Sequence, residues 1–212
     1  VPTGVALRDV RQQLFEAAER VLRRDGANGL TSRAVTDEAG VAKGVLHRHF
    51  ADFDDFLAEL VLERIARLDA QGAELRASAG SGSVAGRLTE ALDRLFDPVT
   101  VSVVGLVIFR DGLRARLRRA GTAHGIPVLT QAAGMVSGYL RDECEMGRIA
   151  ADADVDALAP ALIGAAHMLY AAHMPYAERE AGRETSREAA RPGELRRVVD
   201  AVIADVVQRR LL

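Results

Sequence analysis

TSRAVTDEAGVAKGVLHRHF, residues 31–50, is the stretch that decides how this chain folds. Thr31 is an N-cap candidate, because its hydroxyl can accept an orphan backbone N–H from the first turn of a helix. Val35 and Ala39 fall four apart on one face, and Gly40 supplies the permissive backbone at which a helix ends. Val41 is apolar and fits the angle between two helices. A second short helix is predicted from Lys43 to about His49, with Val45 and Leu46 inward and Lys43, His47, Arg48 and His49 outside. Two short helices about a Gly-containing turn make a helix-turn-helix, whose second helix docks in the DNA major groove.

The flanks agree. Between Arg8 and Arg24, the residues Val10, Leu14, Ala17, Ala18, Val21 and Leu22 recur at helical spacing and predict a covering helix. Asp25-Gly26 and Asn28-Gly29 stop it. Downstream, Asp52 caps a fourth helix whose first turn carries Asp54 and Asp55 and whose inner face carries Phe56, Leu57, Leu60, Val61 and Ile65.

The segment resembles the TetR family of transcriptional regulators. The resemblance rests on Thr31 and Arg33 at a helix start, then Ala39-Gly40-Val41-Ala42, Gly44, Leu46 and Phe50, followed by the capped helix from Asp52 to Phe56. It covers roughly the first quarter of the chain. Two positions depart from the family pattern: His47 stands where Tyr is usual, and Phe53 where Lys is frequent. The resemblance implies an all-α chain with a three-helix DNA-binding domain at residues 1–52 and a larger helical ligand-binding and dimerisation domain at 53–212. The two departures keep a second reading open, a dimeric ligand- or protein-binding module with a weakened or non-functional DNA-binding head.

Composition bounds the function. The 212 residues are 49% hydrophobic, enough for a substantial core. The net charge of −2 excludes a broadly basic coat, so any attraction for DNA must be local. Residues 1–50 carry eight Arg/Lys against six Asp/Glu, and Lys43 is the single lysine. Cys144 is alone, which excludes an intrachain disulfide and fits a reducing compartment. With no apolar run near the length of a membrane span and no N-terminal signal pattern, the expectation is a cytoplasmic protein without a membrane partner.

For the DNA contact, the candidates are Thr31, Arg33, Lys43, Gly44, His47, Arg48 and His49. Thr31 and Arg33 lie at a helix start suited to phosphate. Lys43 can reach guanine O6/N7 or phosphate, and Gly44 permits close backbone approach. His49 has the alternative of packing beside Phe50, and Arg8 and Arg11 are further phosphate candidates.

Beyond Phe50 the pattern is helical, without strand alternation. Helices are predicted to about Ala77, from Val84 to Phe96, from Pro98 through the almost wholly apolar Val99–Phe109, over 110–119, from Pro127 to about Met146, over 154–173 and over 194–210. Residues 177–193 read as a connection. Leu195, Val198, Val199, Val202, Ile203, Val206 and Val207 form a wide apolar stripe on the last helix. Small residues at Ala161, Ala165 and Ala166 allow close approach on the preceding one. The resemblance implies that these two helices pair with a second copy, giving a homodimer on a pseudo-palindromic operator in double-stranded DNA. By spacing alone, both stripes could equally face the chain's own core.

The resemblance also implies a small-molecule effector held in the C-terminal domain. Large or polar-tipped residues on apolar helices are the candidates for its site: Phe96, Phe109, Met135, Tyr139, His167, Met168 and Tyr170. The same residue types also serve as ordinary core filling. Catalysis is not expected. His124, His167, His173 and Cys144 form no metal spacing, acidic neighbours Glu143 and Glu145 blunt Cys144, and no phosphate loop or nucleophile elbow occurs. No cofactor or metal is expected.

Overall fold

The computed structural model describes residues 4–122, 125–172 and 191–208, and every described element is an α-helix. In order these are α1 (Gly4–Gly29), α2 (Ser32–Ala39), α3 (Gly44–His49), α4 (Phe53–Ala77), α5 (Val84–Leu95), α6 (Pro98–Phe109), α7 (Asp111–Arg119), α8 (Pro127–Glu145), α9 (Val155–Ala172) and α10 (Arg191–Gln208). Most of the connection expected at 177–193 lies outside the described residues, as do His124 and His173.

Local chemistry sets the boundaries. Gly26 leaves helical geometry with φ 68° and interrupts α1 where the Asp25-Gly26 pair predicts a stop. Thr31 caps α2 by accepting from the Ala34 N–H at 3.1 Å. Gly40 closes α2 with φ 67°, its N–H reaching the Asp37 carbonyl. The start of α4 is capped reciprocally: Asp52 Oδ1 accepts from the Asp55 N–H at 2.9 Å, and Asp55 Oδ2 accepts from the Ala51 N–H at 2.9 Å. Ser83 and Asp154 cap α5 and α9 in the same way, accepting from Gly86 and Ala157.

Packing groups the helices into two compact units, Val1–Ile65 with Pro98–Val128, and Ala66–Asp97 with Leu129–Leu212. The grouping by contact therefore places α6 and α7 with the N-terminal helices, a different division from the one at residues 52/53 that the motif suggests.

In the first unit, Leu14, Ala17, Ala18, Val21 and Leu22 of α1 are all fully buried, and Val35 and Leu46 join them. An aromatic trio completes this core. Phe15 lies 5.8 Å from Phe50 and 5.6 Å from Phe56, and Phe50 meets Phe56 edge-on at 5.1 Å. Glu19 is buried and meets Arg64 at 3.3 Å, while Arg64 also donates to the Thr100 hydroxyl at 2.6 Å. This ties α1 to α4 and α6 through charge that has lost most of its water.

In the second unit, α10 packs against α5 and α9. Leu195, Val199, Ile203 and Val206 are buried there, so four of the seven residues of the predicted stripe serve this chain's own core. Helix α9 is 18 residues long with a mean hydropathy of 1.4 and one third of its residues buried. It thus reaches the length and apolarity of a membrane span, contrary to the sequence expectation, because alanines dilute Asp156 and no Lys or Arg interrupts it. Helix α6 is not buried along its whole length either: Ile108 and Phe109 emerge at its end, Phe109 with 85% exposure.

Phe50 carries the anchorage of α3, so Phe50→Ala is expected to cost about 3–5 kcal/mol. Urea unfolding checks this; a loss below 1 kcal/mol, the level of a surface substitution, would contradict the trio's role.

A candidate DNA-binding head and a candidate ligand cavity

The head presents one helix start and one short helix to solvent. Thr31, Arg33, Lys43, Gly44, His47 and Arg48 are all exposed, and His49 is half-buried. Sequence spacing separates most of this outer set from the inner set, since Val35, Ala39, Leu46 and Phe50 are buried, but Val45, expected inward, and His49, expected outside, are both half-buried. His49 leans on Phe50 with ring centroids 6.5 Å apart, and its backbone carbonyl accepts from Arg11 Nη1 at 3.1 Å. Arg11 also sits 4.5 Å over the Phe50 ring and pairs with Glu59. It is therefore a structural clamp rather than a spare phosphate ligand. The Arg8 side chain lies outside the described residues.

Ion pairing sorts the remaining cations. Glu38 takes Arg20 and Arg24, each at 2.7 Å, and hydrogen bonds from Arg24 and then Arg20 hold its carboxyl below the usual carboxylate range. Arg23 pairs with Glu19 at 3.2 Å, and Arg33 pairs loosely with Asp37 at 3.5 Å, both ends exposed. Among the described residues, Lys43 and Arg48 have no acidic partner. The unneutralised charge of the head thus concentrates on α3 and its leading residue. This sorting was invisible in the mild eight-to-six balance of the sequence.

The two family departures have different surroundings. His47 is exposed and keeps two ring nitrogens for hydrogen bonding. Phe53 stacks on Phe56 at 5.7 Å and lies under the Arg110 guanidinium at 5.5 Å. Arg110 pairs with Asp54 at 3.3 Å, and Arg116 pairs with Asp52, so α7 neutralises the acidic start of α4 next to the recognition helix.

In the second unit the candidate ligand residues separate into groups. Phe96 stacks on Tyr170 at 5.8 Å and approaches His167 at 5.9 Å, and the Tyr170 hydroxyl donates to Asp93. Tyr139 is fully buried, and burial followed by the nearby Glu143 pushes its hydroxyl well above the ordinary phenol range. Glu143 is itself wholly buried, held by Arg148 at 3.2 Å and by the Gly80 N–H at 3.3 Å. Met168 is 70% exposed and joins neither group, and Phe109 belongs to the other unit.

Of the candidates, Met135 lines a cavity of about 160 Å³. Its other walls come from Gln71, Glu74 and Leu75 of α4 and from Arg87 and Arg94 of α5. Sequence reasoning missed these because polar residues at helical spacing read as solvated surface; only the three-helix packing brings them together. Burial, then Glu145, raises the Cys144 thiol above its ordinary range, and its Sγ lies 3.6 Å from the Ala150 carbonyl. Among the described residues no group of His, Cys, Asp or Glu is placed to hold a metal ion.

Burial lowers the His167 pKa below its ordinary 6.5, and its Nδ1 has no hydrogen-bond partner. A depressed base binds fewer protons folded than unfolded, so its stability contribution is present above pH 6.5 and is lost as pH falls below it. His167→Phe is expected to remove this acid-side slope while leaving neutral-pH stability unchanged or improved. Denaturation midpoints between pH 5 and 8 measure it; an unaltered slope in the variant would contradict the assignment.

Residues 14–60 match the family model described as bacterial regulatory proteins, tetR family. Among proteins of curated function, none matches the sequence. Solved structures match over nearly the whole chain. A TetR-family regulator from Mesorhizobium loti is 21% identical, with 98% of each chain covered and a TM-score of 0.62. A transcriptional regulator from Rhodococcus sp. Rha1 is 20% identical, covering 94% of this chain and 96% of its own, with a TM-score of 0.65. The regulator FadR from Bacillus subtilis, solved with stearoyl-CoA, is 16% identical, covering 92% and 97%, with a TM-score of 0.59. At these identities the structures establish a shared fold, while the matched segment coincides with the capped helices and exposed α3 described above. Residues 14–60 thus carry a domain of the tetR family of bacterial regulatory proteins, in a chain that shares its fold with these solved structures.

Proposed function

We propose that this protein is a DNA-binding transcriptional repressor, acting as a homodimer in the cytoplasm and released from its operator by a small molecule. The observation that carries the reading is the unpaired charge of Lys43 and Arg48 on the exposed α3, inside the matched domain. Lys43 and Gly44 lead the helix toward base edges, while Thr31, Arg33, His47 and Arg48 serve the phosphates on either side. Glycine at 44 has open space where a Cβ would stand, so its value there is room for DNA rather than a need of the fold.

A second copy suits the uncovered faces of α9 and α10. Helix α9 leaves Ala157, Ala161, Gly164 and Met168 exposed on one side, and α10 leaves Val198, Val202 and Val207 half-buried. Small residues let helices approach closely, and a two-fold axis would present two α3 helices about one DNA turn, ~34 Å, apart or a multiple of it. That geometry calls for a pseudo-palindromic operator. An effector weakens DNA binding only by preferring the dimer form that cannot span both half-sites. The weakened-head alternative is not favoured, because His47 remains an exposed donor and the matched domain is intact.

Selection of genomic fragments by the purified protein tests the reading. The expected result is a palindrome bound by a dimer, and about four phosphate contacts from Arg33 and Arg48 of two heads predict a log–log salt slope near −4. Arg48→Ala should reduce that slope by about 2 per dimer. No enriched fragment at low salt would overturn the proposal. Gly44→Ala is expected to leave thermal stability intact yet weaken operator binding by about tenfold or more; unchanged affinity would remove Gly44 from the contact surface.

A further inference from the structure

The cavity between α4, α5 and α8 has a lining whose charges are arranged for a particular kind of ligand. A 150 Å³ cavity in another protein accepts benzene, so about 160 Å³ here suits a ligand of roughly six to ten non-hydrogen atoms. Such a space is too small for a long acyl chain, and it is far from dry. Arg94 and the paired Arg87 and Glu90 of α5 line it together with Glu74 of α4, and Leu75 and Met135 supply apolar wall.

These charges are unequally occupied. Arg87 is engaged through its outer nitrogens, which donate to Glu90 and to the Ser81 hydroxyl at 3.3 Å each. Its Nε is buried and has no acceptor. Arg94 and Glu74 line the same cavity and form no ion pair with each other or with another described residue. A buried donor without an acceptor costs about 1–3 kcal/mol unless something satisfies it. A bare anion would answer Arg87 and Arg94 but would meet the uncompensated Glu74. A bare cation would meet the reverse. A zwitterion satisfies both, and its short apolar body fits against Leu75 and Met135.

We propose that this cavity binds a small amino-carboxylate, of amino-acid size, with its carboxylate on Arg94 and Arg87 Nε and its ammonium on Glu74. The proposal rests on the reading of the chain as an effector-controlled repressor, since it assigns the effector's chemistry and its site. Carboxylate recognition by guanidinium is directional and charge-assisted. Removing either charge of the ligand leaves one protein charge unanswered.

The test is calorimetric titration of the full-length protein with each protein amino acid, β-alanine and γ-aminobutyrate, alongside their N-acetyl and amide derivatives. Operator release is followed in parallel. At least one amino-carboxylate is expected to bind and release DNA, with both derivatives weaker by about tenfold or more. Arg94→Ala should weaken that ligand by a similar factor. Glu74→Gln should weaken the amino acid while leaving its N-acetyl derivative unchanged, the pattern that a merely structural role would not give. Both side chains are exposed, so both variants fold. Failure of every amino-carboxylate to bind at about 10 mM, with DNA binding intact, would overturn the proposal. Release of DNA by a compound of another class alone would overturn it too, and would leave the effector-controlled repressor standing. A protein that binds an amino-carboxylate but no DNA would instead sink the repressor reading and keep the site.

Discussion

A six-residue helix cannot hold its own shape in water, and α3 is six residues long. Everything the head does therefore depends on the contacts that fix α3 from behind. Leu46 and Phe50 are its two buried anchors, and Phe50 is gripped by Phe15 of α1 and Phe56 of α4. Arg11 adds a second hold by donating to the carbonyl of His49 while covering the Phe50 ring. With its inner side fixed this way, α3 is free to spend its outer side on DNA. The cost of ordering the recognition residues is met during folding rather than at binding, which is the meaning of preorganisation here.

Charge follows the same logic. A chain with a net charge of −2 has little long-range attraction for nucleic acid. The head answers by neutralising most of its arginines internally, through Glu38, Glu19 and Glu59, and among the described residues Lys43 and Arg48 have no acidic partner. The paired arginines brace α1 against α2 and α4. Lys43 and Arg48 are both exposed, at the start of α3 and on it.

Much of the head was legible from residue order. Thr31, Gly40 and Asp52 announced three helix boundaries through their capping chemistry, and the spacing of Val35, Ala39 and Leu46 fixed which side turned inward. Arg11 was not legible, because its partners at 49, 50 and 59 are brought near only by the fold. The C-terminal half was harder. Apolar stripes on α9 and α10 look alike whether they meet their own core or another chain, and the fold buries only part of the α10 stripe in its own core. The cavity escaped notice for a related reason. Aromatic and sulfur-bearing residues drew attention, yet most of those were core, whereas Arg87, Arg94 and Glu74 looked like solvated surface until packing set them around one space. Phe109 shows the converse error, an apolar residue at the end of an apolar helix that emerges into solvent.

The central claim is that α3, held by the aromatic trio, is read into the major groove of two symmetric half-sites. Guanine N7 lies in that groove and nowhere else, so methylation protection on a bound operator reports on it directly. The account predicts two protected patches centred about ten base pairs apart, or a multiple of that, each lost when Lys43 is replaced by Ala. Bound DNA whose N7 positions all stay reactive would contradict it.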